Sequence, residues 1–208
     1  MHKAAIMAGV LLAIAASQGR AQDAPAAAEV RRLLQSAPNP DDFADLSSGG
    51  LVSLRHKPSG LICAFGPDFR GDSLHASPGG LICETASVSE IDTLEAFHTA
   101  QASDEELQGA LARAMGQFRG AQAVSGFTDA QSERQNAPPH VSRRYVAAAP
   151  SGDRLFIRIA YSQVGDWFVL QRVISTPDSA QIADSDGERR LLAAIGQLMD
   201  RQTSGGGR

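Results

Sequence analysis

The stretch "RRYVAAAPSGDRLFIRIAYSQVGDWFVLQRVIS", residues 143–175, carries the strongest structural pattern in this chain of 208 residues. Segments 141–149, 154–162 and 167–175 are rich in β-branched and aromatic residues, which is typical of strands. The turn sequences "PSGD" and "GD" separate the segments and favour tight reversals of the chain. We therefore predict an antiparallel meander of three strands. The core-facing residues of its middle strand are expected to be Leu155, Ile157, Ile159 and Tyr161.

The elements around the meander predict the fold class. Strand-like runs precede it, for example at residues 51–56, and an S-x-x-E capping box at Ser103 begins an amphipathic helix that ends at Gly120. A second helix, capped by Ser185 or Asp186, follows the meander. Strands, helix, strands, helix is the order of an α+β protein. We expect an antiparallel sheet of about six strands, with two main helices packed on one face and the other face partly in water.

The N-terminus has the pattern of a secretory signal peptide. A basic start is followed by the uninterrupted apolar run "AAIMAGVLLAIAA", residues 4–16, and by a small residue at Ala21. The run is too short for a membrane-spanning helix, which needs ~20 apolar residues. We expect residues 1–21 to be removed, which leaves a periplasmic or secreted protein without a membrane span.

The remaining chain is expected to form a single domain. Residues 22–42 start with the low-complexity segment "QDAPAAA" and are predicted to be a linker with a short helical turn. Residues 43–202 have the length of one α+β domain, and residues 203–208 are predicted to be a disordered tail. A formal net charge of −4 argues against a general nucleic-acid-binding protein.

The tetrapeptide "GLIC" occurs twice and contains both cysteines of the chain, Cys63 and Cys83. Because thiols outside the cytoplasm tend to oxidise, we predict a structural disulfide between them. His56 and His75 lie nearby and leave two alternatives open: a metal site, although the spacing is not that of a zinc site, and a cysteine nucleophile beside a histidine base. We assign no metal, no cofactor and no catalytic residue.

The meander and the segment "ERRLLAAIGQLM" behind it resemble the closing part of the PsbP/Mog1-like superfamily in element order and hydropathy. The resemblance implies a hairpin, a further strand and a closing helix around an antiparallel sheet, and a binding or assembly module more than an enzyme. The "SGLIC" stretch is also similar to stretches in small exported bacterial proteins of unknown function. Neither resemblance transfers a functional residue.

Arginine and aromatic residues in the meander form the candidate binding site. If "PSGD" is a four-residue loop, Tyr145 lies opposite Arg158. One face of the sheet then carries Arg143, Tyr145, Arg154 and Arg158. Guanidinium groups in such a setting can bind carboxylates or phosphates. The alternative is a solvated face on which long side chains cover apolar surface.

No short motif of hydrolases, P-loop proteins or dinucleotide-binding enzymes occurs in the chain. We therefore expect an exported, non-enzymatic binding or assembly module of the cell envelope, whose partner is an envelope protein or an anionic ligand. The alternative is a small extracytoplasmic hydrolase that uses His56 or His75 near the disulfide. A histidine within hydrogen-bonding distance of a serine, cysteine or carboxylate in a pocket would favour the hydrolase.

Overall fold

The computed structural model describes residues 25–37, 39–66, 71–77, 79–99, 118–130, 132 and 137–205. This part of the chain forms ten strands in two antiparallel sheets, with helices packed against them. The predicted α+β class is confirmed. None of the helices described combines the length and the hydropathy that crossing a membrane requires. The predicted signal peptide, residues 1–21, lies outside the described residues and stays a prediction.

The smaller sheet consists of β1 (Phe43–Asp45), β2 (Val52–His56) and β3 (Ile62–Phe65), in that order. Strands β2 and β3 form a hairpin in the region of the first "GLIC" copy, and β2 confirms the strand-like run predicted at residues 51–56. The Gly60 N–H donates to the His56 carbonyl oxygen at 2.7 Å and closes the turn. Gly60 has a φ of +82°, a conformation that glycine adopts without the steric cost of a side chain.

The larger sheet contains seven antiparallel strands, which are β4 (Ser73–Ser77), β5 (Gly80–Ala86), β6 (Glu90–His98), β7 (Arg119–Ala123), β8 (Val141–Ala148), β9 (Arg154–Val164) and β10 (Trp167–Ser175). Their order across the sheet is β4-β5-β6-β10-β9-β8-β7. Strands β8, β9 and β10 are the predicted meander. Strand β10 also pairs with β6 along its whole length, so the meander joins directly to the strands that precede it in the sequence.

The register between β8 and β9 differs by one residue from the predicted register. Ala148 lies opposite Arg154, so the connecting loop is residues 149–153. The Ala149 N–H donates to the Asp153 carbonyl oxygen at 2.8 Å and draws Ala149 into the loop. As a result Arg144, and not Tyr145, lies opposite Arg158. Because side chains alternate between the two faces of a sheet, this shift divides the predicted arginine patch.

Two helices pack on the same face of the larger sheet: α1, over residues 25–36, and α2 (Ala180–Gly205). Side chains from both helices enter one core cluster, among them Val30 and Leu33 of α1 and Leu191 of α2. An antiparallel sheet with two helices on one face was predicted and is confirmed, but of these helices only α2 is one of the two main helices that the sequence predicts. The predicted helix that begins at Ser103 lies mostly outside the described residues.

The central strands of the larger sheet are buried on both faces. Ile157 and Ile159 of β9 belong to a second core cluster on the face away from the helices. The alternate residues Phe156, Arg158 and Ala160 lie on the helix-covered face and are just as buried. The expectation that one face is partly wet is therefore wrong for β9, since each face has its own core.

Several predicted boundaries are wrong. Helix α1 falls within the predicted linker, and its Val30 and Leu33 are buried, so the folded core begins before residue 43. Helix α2 begins at Ala180, directly after the 3-10 turn Pro177–Ser179, and not at residues 185–186. The helix extends to Gly205, so the first residues of the predicted tail are helical. Gly120, the predicted end of the other helix, lies in β7.

Candidate functional site

The two cysteines form a disulfide that joins the two sheets. Cys63 lies on β3 of the smaller sheet and Cys83 on β5 of the larger sheet, with their Cα atoms 5.9 Å apart. Both residues are buried. The predicted disulfide is confirmed, but it links strands of different sheets and not two neighbours in one sheet. It therefore fixes the junction where the sheets meet.

Helix α2 contacts the β2–β3 hairpin beside this junction. The Ile62 N–H donates to Gln197 Oε1 at 2.8 Å, and Arg201 Nε donates to the Lys57 carbonyl oxygen at 3.3 Å. Gly60 permits the close approach, since a Cβ atom at this position would lie 2.8 Å from Arg201 Cβ. These contacts hold α2 alongside the hairpin and leave a groove between the two elements.

This space, which we call the α2–β3 groove, has two parts that meet at Ile62 and Gln197. The inner cavity lies beside the disulfide and has a volume of about 150 Å³. The outer cleft is more open and has a volume of about 470 Å³. On the helix side, Arg190 and Ala194 line the inner cavity and Arg201 lines the outer cleft. Their helical spacing places them on one face of α2.

Three cations line the outer cleft: Arg55 on β2, Lys57 in the hairpin turn and Arg201 on α2. All three side chains are exposed. Asp200 also lines the cleft, so the cations outnumber the acidic groups on its wall. The chain as a whole has a formal net charge of −4, so the cleft is a positively charged region on a protein whose net charge is negative. Guanidinium and ammonium groups in this setting can bind carboxylates or phosphates.

One carboxyl group lies on the wall of the inner cavity. Asp92 is 5% exposed, and its Oδ2 accepts hydrogen bonds from Arg190 Nε and, at 3.2 Å, from Gln171 Nε2. Its Oδ1 is buried and has no hydrogen-bond partner among the described residues. Burial raises the pKa of Asp92 to about 6, although the nearby Arg190 guanidinium acts in the opposite direction. Arg190 also pairs with Glu90 at the surface.

Arg158, a member of the predicted binding patch, is fully buried between β9 and α2. Its guanidinium donates to Gln171 Oε1 at 2.7 Å and to Ser142 Oγ at 3.2 Å, and Asp184 of α2 lies 3.4 Å away. Burial lowers the pKa of the Arg158 guanidinium. Arg144 lies beside it and also pairs with Asp184. Arg158 is thus part of an ion network under α2 and is not accessible to a partner.

The other predicted patch residues do not lie together. Arg143 and Tyr145 are on the face of β8 opposite to the Arg158 side. Tyr145 packs against the second core cluster, whereas Arg143 is exposed. Arg154 is exposed at the first position of β9. The predicted patch therefore does not form, because the one-residue shift in register moves Arg143 and Tyr145 away from Arg154 and Arg158.

The two histidines of the hydrolase alternative have different surroundings. His56 Nδ1 lies 2.9 Å from Ser59 Oγ, and burial lowers the pKa of His56. Ser59 is fully buried, and its Oγ also accepts the Leu61 N–H at 3.1 Å, so the pair closes the hairpin turn. His75 lies exposed on β4. Within the described residues no group of histidine, cysteine and acidic side chains could hold a metal ion.

A further polar cluster under α2 was not predicted from the sequence. Ser132 Oγ donates to Glu188 Oε1 at 2.8 Å and lies 3.3 Å from His140 Nε2. The Ser132 backbone N–H donates to the same Glu188 oxygen at 2.7 Å. The Glu188 carboxylate accepts hydrogen bonds from both the backbone N–H and the hydroxyl of Ser132. This cluster therefore attaches the segment before β8 to α2. Glu188 lies 56 positions after Ser132 in the sequence, so no local motif indicates this contact.

No protein-family model matches the chain, and no curated protein matches it either. Among solved structures, the chain is similar to a mutant form of the protein Mog1, with 12% sequence identity and a TM-score of 0.32. The match covers 76% of this chain and 93% of the Mog1 chain. A likeness at this level supports no conclusion about function.

Proposed function

We propose that this chain is an exported, non-enzymatic binding module whose outer cleft binds an acidic segment of a partner protein. The observation that carries the proposal is the group of three cations, Arg55, Lys57 and Arg201, around one open cleft. Hydrogen bonds between such cations and carboxylates are charge-assisted and belong to the stronger class of protein hydrogen bonds.

The position of the cations favours an extended acidic segment over a compact polyanion. The three charges come from a strand, a turn and a helix, so they are spread around the cleft. Arg201 lies in the last turns of α2, and the C-terminal end of a helix carries partial negative charge. Compact phosphate groups are instead favoured at helix N-termini. Separate carboxylates can each meet one cation.

Export to the periplasm or the medium is part of the proposal. The N-terminal pattern of residues 1–21 supports it, and so does the disulfide, because such bonds persist in oxidising compartments. Partners in this setting are envelope or secreted proteins.

A charge reversal on α2 tests the proposed function. The probe is a fluorescently labelled oligoglutamate peptide, and its binding is followed by fluorescence anisotropy. We expect Arg201→Glu to weaken binding about tenfold, which corresponds to roughly 1.4 kcal/mol. Arg189→Glu makes the same charge change at an exposed position of α2 outside the groove and should leave binding near the wild-type value. Added salt should weaken wild-type binding.

Two results would contradict the proposal. One is the lack of saturable binding of the peptide to the wild-type protein. The other is an equal loss of affinity in Arg201→Glu and Arg189→Glu, since that would point to the overall charge and not to the cleft.

The hydrolase alternative rests on the 2.9 Å contact between His56 and Ser59. Both residues are buried, and neither lines the inner cavity or the outer cleft. A substrate would therefore need the hairpin turn to open before it could reach Ser59. Ester hydrolysis that is lost in Ser59→Ala, in a variant that keeps its fold, would favour this alternative over the binding module.

A further inference from the structure

We propose that the acidic segment of the partner binds in extended form along the free edge of β3, as an additional antiparallel strand of the smaller sheet. The inference rests on the proposed function and deepens it, because it specifies the backbone conformation and the side-chain pattern of the bound segment. Hydrogen bonds between the two main chains then contribute to binding together with the pairing of charges.

The main-chain groups of Ile62 and Ala64 point away from β2. In an antiparallel pair, successive residues direct their N–H and carbonyl groups alternately toward the neighbouring strand and away from it. The His56 N–H donates to the Leu61 carbonyl oxygen at 2.8 Å, so the register of the hairpin directs the groups of Ile62 and Ala64 to the free side of β3. The bond from the Ile62 N–H to Gln197 Oε1 of α2 agrees with this direction.

Three main-chain groups on this edge are available to a partner. They are the Ile62 carbonyl and the N–H and carbonyl of Ala64, which have no hydrogen-bond partner within the described part of the chain. Strand β3 is the last strand of its sheet, and Ala64 is exposed. All four residues of β3 are uncharged, so the edge lacks the charged side chains that protect many exposed edges. An extended segment can form three hydrogen bonds here while Gln197 keeps its own.

The other edges of the two sheets are less suited to strand addition. Helix α1 reaches the β4 edge, where Ser36 Oγ donates to the Leu74 carbonyl oxygen at 3.3 Å. Strand β1 carries Asp45, whose charge repels an acidic segment. The pairing of β7 with β8 shifts between Arg119 and Gln122, so β7 is irregular. Among the described strands, β3 is therefore the edge with a regular and uncharged backbone.

The two faces of the smaller sheet predict the side-chain pattern of the bound segment. Ala44, Arg55 and Ile62 lie opposite one another on β1, β2 and β3, and all three line the outer cleft. Because residues paired across a sheet point to the same face, the partner residue opposite Ile62 shares the face of Arg55, where a carboxylate can pair with the cations. The next partner residue points to the face of Cys63, which lines the inner cavity with Leu94.

The inner cavity suits an aliphatic side chain at this second position. Its wall includes the disulfide, and its volume is about 150 Å³, a size that accepts one benzene ring in a protein core. The bound segment therefore alternates acidic and aliphatic residues.

Two methylated isomers of one peptide test the inference on the unaltered protein. The parent is a labelled hexapeptide of three Val-Glu repeats, capped at both ends. In the antiparallel register its glutamate N–H groups face β3 and its valine N–H groups face away. We expect N-methylation of the three glutamates to weaken binding at least about tenfold, because the donors to β3 are lost. The isomer methylated at the three valines has the same charge and size and should bind within about twofold of the parent.

Hydrogen exchange of the Ala64 amide gives a second readout. This N–H should exchange at least about tenfold more slowly in the complex with the parent peptide, because it then donates to the bound strand. The amide of Asp45 is the control, since it lies on β1 at the opposite edge of the same sheet, and its exchange rate should not change.

The outcomes separate this inference from the proposed function. Equal binding of the two methylated isomers, a loss confined to the valine-methylated isomer, or an unchanged exchange rate of the Ala64 amide would overturn the inference. The proposed function would survive each of these results if oligoglutamate still bound and Arg201→Glu still weakened it. A lack of saturable binding of both oligoglutamate and the Val-Glu peptide would instead refute the proposed function, and the inference with it.

Discussion

Arg158 is the largest fully buried side chain among the described residues, and its guanidinium is compensated by Asp184 and by the Gln171 amide oxygen. Removing one member of a buried ion pair leaves the other charge without compensation in a medium that solvates it poorly. Arg144 reduces this effect, because it pairs with the same Asp184. The energetic role of Arg158 is therefore that of a core residue.

We predict that Arg158→Ala lowers the free energy of unfolding by about 3 kcal/mol, the lower end of the range for breaking a buried ion pair, because Arg144 still pairs with Asp184. Arg154→Ala, on the same strand but exposed, should change it by less than about 0.5 kcal/mol. Urea unfolding followed by circular dichroism measures both. Equal stabilities of the two variants would show that Arg158 is not held in the network under α2.

The raised pKa of Asp92 predicts that the free energy of unfolding decreases as the pH rises. Its folded-state pKa of about 6 lies above the value near 3.9 of an unfolded aspartate. Between these two values the unfolded chain loses its proton first, so the free energy of unfolding falls as the pH rises. The loss amounts to about 2–3 kcal/mol and is complete above pH ~6.

The substitution Asp92→Asn removes this titration. Relative to the wild type, the variant should gain about 2–3 kcal/mol between pH ~4 and pH ~7, because it lacks the carboxylate that burial disfavours. Urea unfolding of both proteins over this pH range gives the difference. A difference that stays constant with pH would mean that Arg190 holds the Asp92 pKa near its ordinary value.

At the residue scale, the disulfide was predicted correctly from the sequence, whereas the predicted arginine patch was wrong. Cys63 and Cys83 have one possible pairing, so the count alone predicts the bond. The predicted arginine patch depended on a four-residue loop, whereas the loop has five residues and Ala149, which donates to the Asp153 carbonyl oxygen, belongs to it. Asp92 and the cations of the outer cleft gave no signal, because they meet residues that are distant in the sequence: Asp92 is 98 positions from Arg190, and Arg55 is 146 positions from Arg201.

At the scale of elements, Gly187 and Gly196 lie in the interior of helix α2 in opposite environments. A Cβ atom on Gly187 would lie 2.8 Å from Val173 Cγ2, so this glycine allows α2 to approach β10. A Cβ atom on Gly196 would meet nothing within 4 Å. Glycine within a helix costs about 0.5–1 kcal/mol relative to alanine.

We predict that Gly196→Ala raises the free energy of unfolding by about 0.5–1 kcal/mol, through the gain in helix propensity. Gly187→Ala should lower it by about 1–2 kcal/mol, because the added methyl group forces α2 away from the sheet. Thermal unfolding of the two variants measures the contrast. The same sign of change in both would mean that contact between α2 and β10 does not limit the size of residue 187.

Elements with a long hydrophobic pattern were predicted well, and short or alanine-rich ones were not. The meander strands agree with the prediction to within one or two residues at most ends. Strand β1 has three residues, too few for an alternating pattern to be recognised. The low compositional complexity of residues 25–28, "PAAA", predicts a spacer, yet the segment is helical, because alanine is the best helix former and proline suits a first helical turn. The start of α2 had a similar signal in Thr176 and Pro177.

At the scale of the whole molecule, the disulfide joins two sheets between which no strands are hydrogen-bonded in the described part of the chain. The cysteines are 20 positions apart, and closing a loop of this length stabilises a fold by about 3 kcal/mol in the chain-entropy model. We predict that the double variant Cys63→Ala, Cys83→Ala loses about this amount in urea unfolding. Reductant should lower the stability of the wild type to a similar degree and leave the double variant unchanged. A double variant as stable as the oxidised wild type would contradict the prediction.

The global arrangement was the least predictable level. The sequence indicates an α+β class, and the structure has that class with seven strands in one sheet and three in another. The division into two sheets has no local signature, because one copy of the tetrapeptide overlaps the start of β3 and the other forms the start of β5, so the two strands look alike in isolation. Only their neighbouring strands distinguish them: β3 pairs with β2, and β5 pairs with β4 and β6.

The bond between Cys63 and Cys83 also changes what a protease can do to this protein. A cut at any peptide bond between the two positions opens the chain but leaves both fragments attached to each other through sulfur. Such a nicked molecule would migrate as one band on a non-reducing gel and as two bands after reduction. In surroundings rich in secreted proteases, damage to this stretch would thus not release either piece.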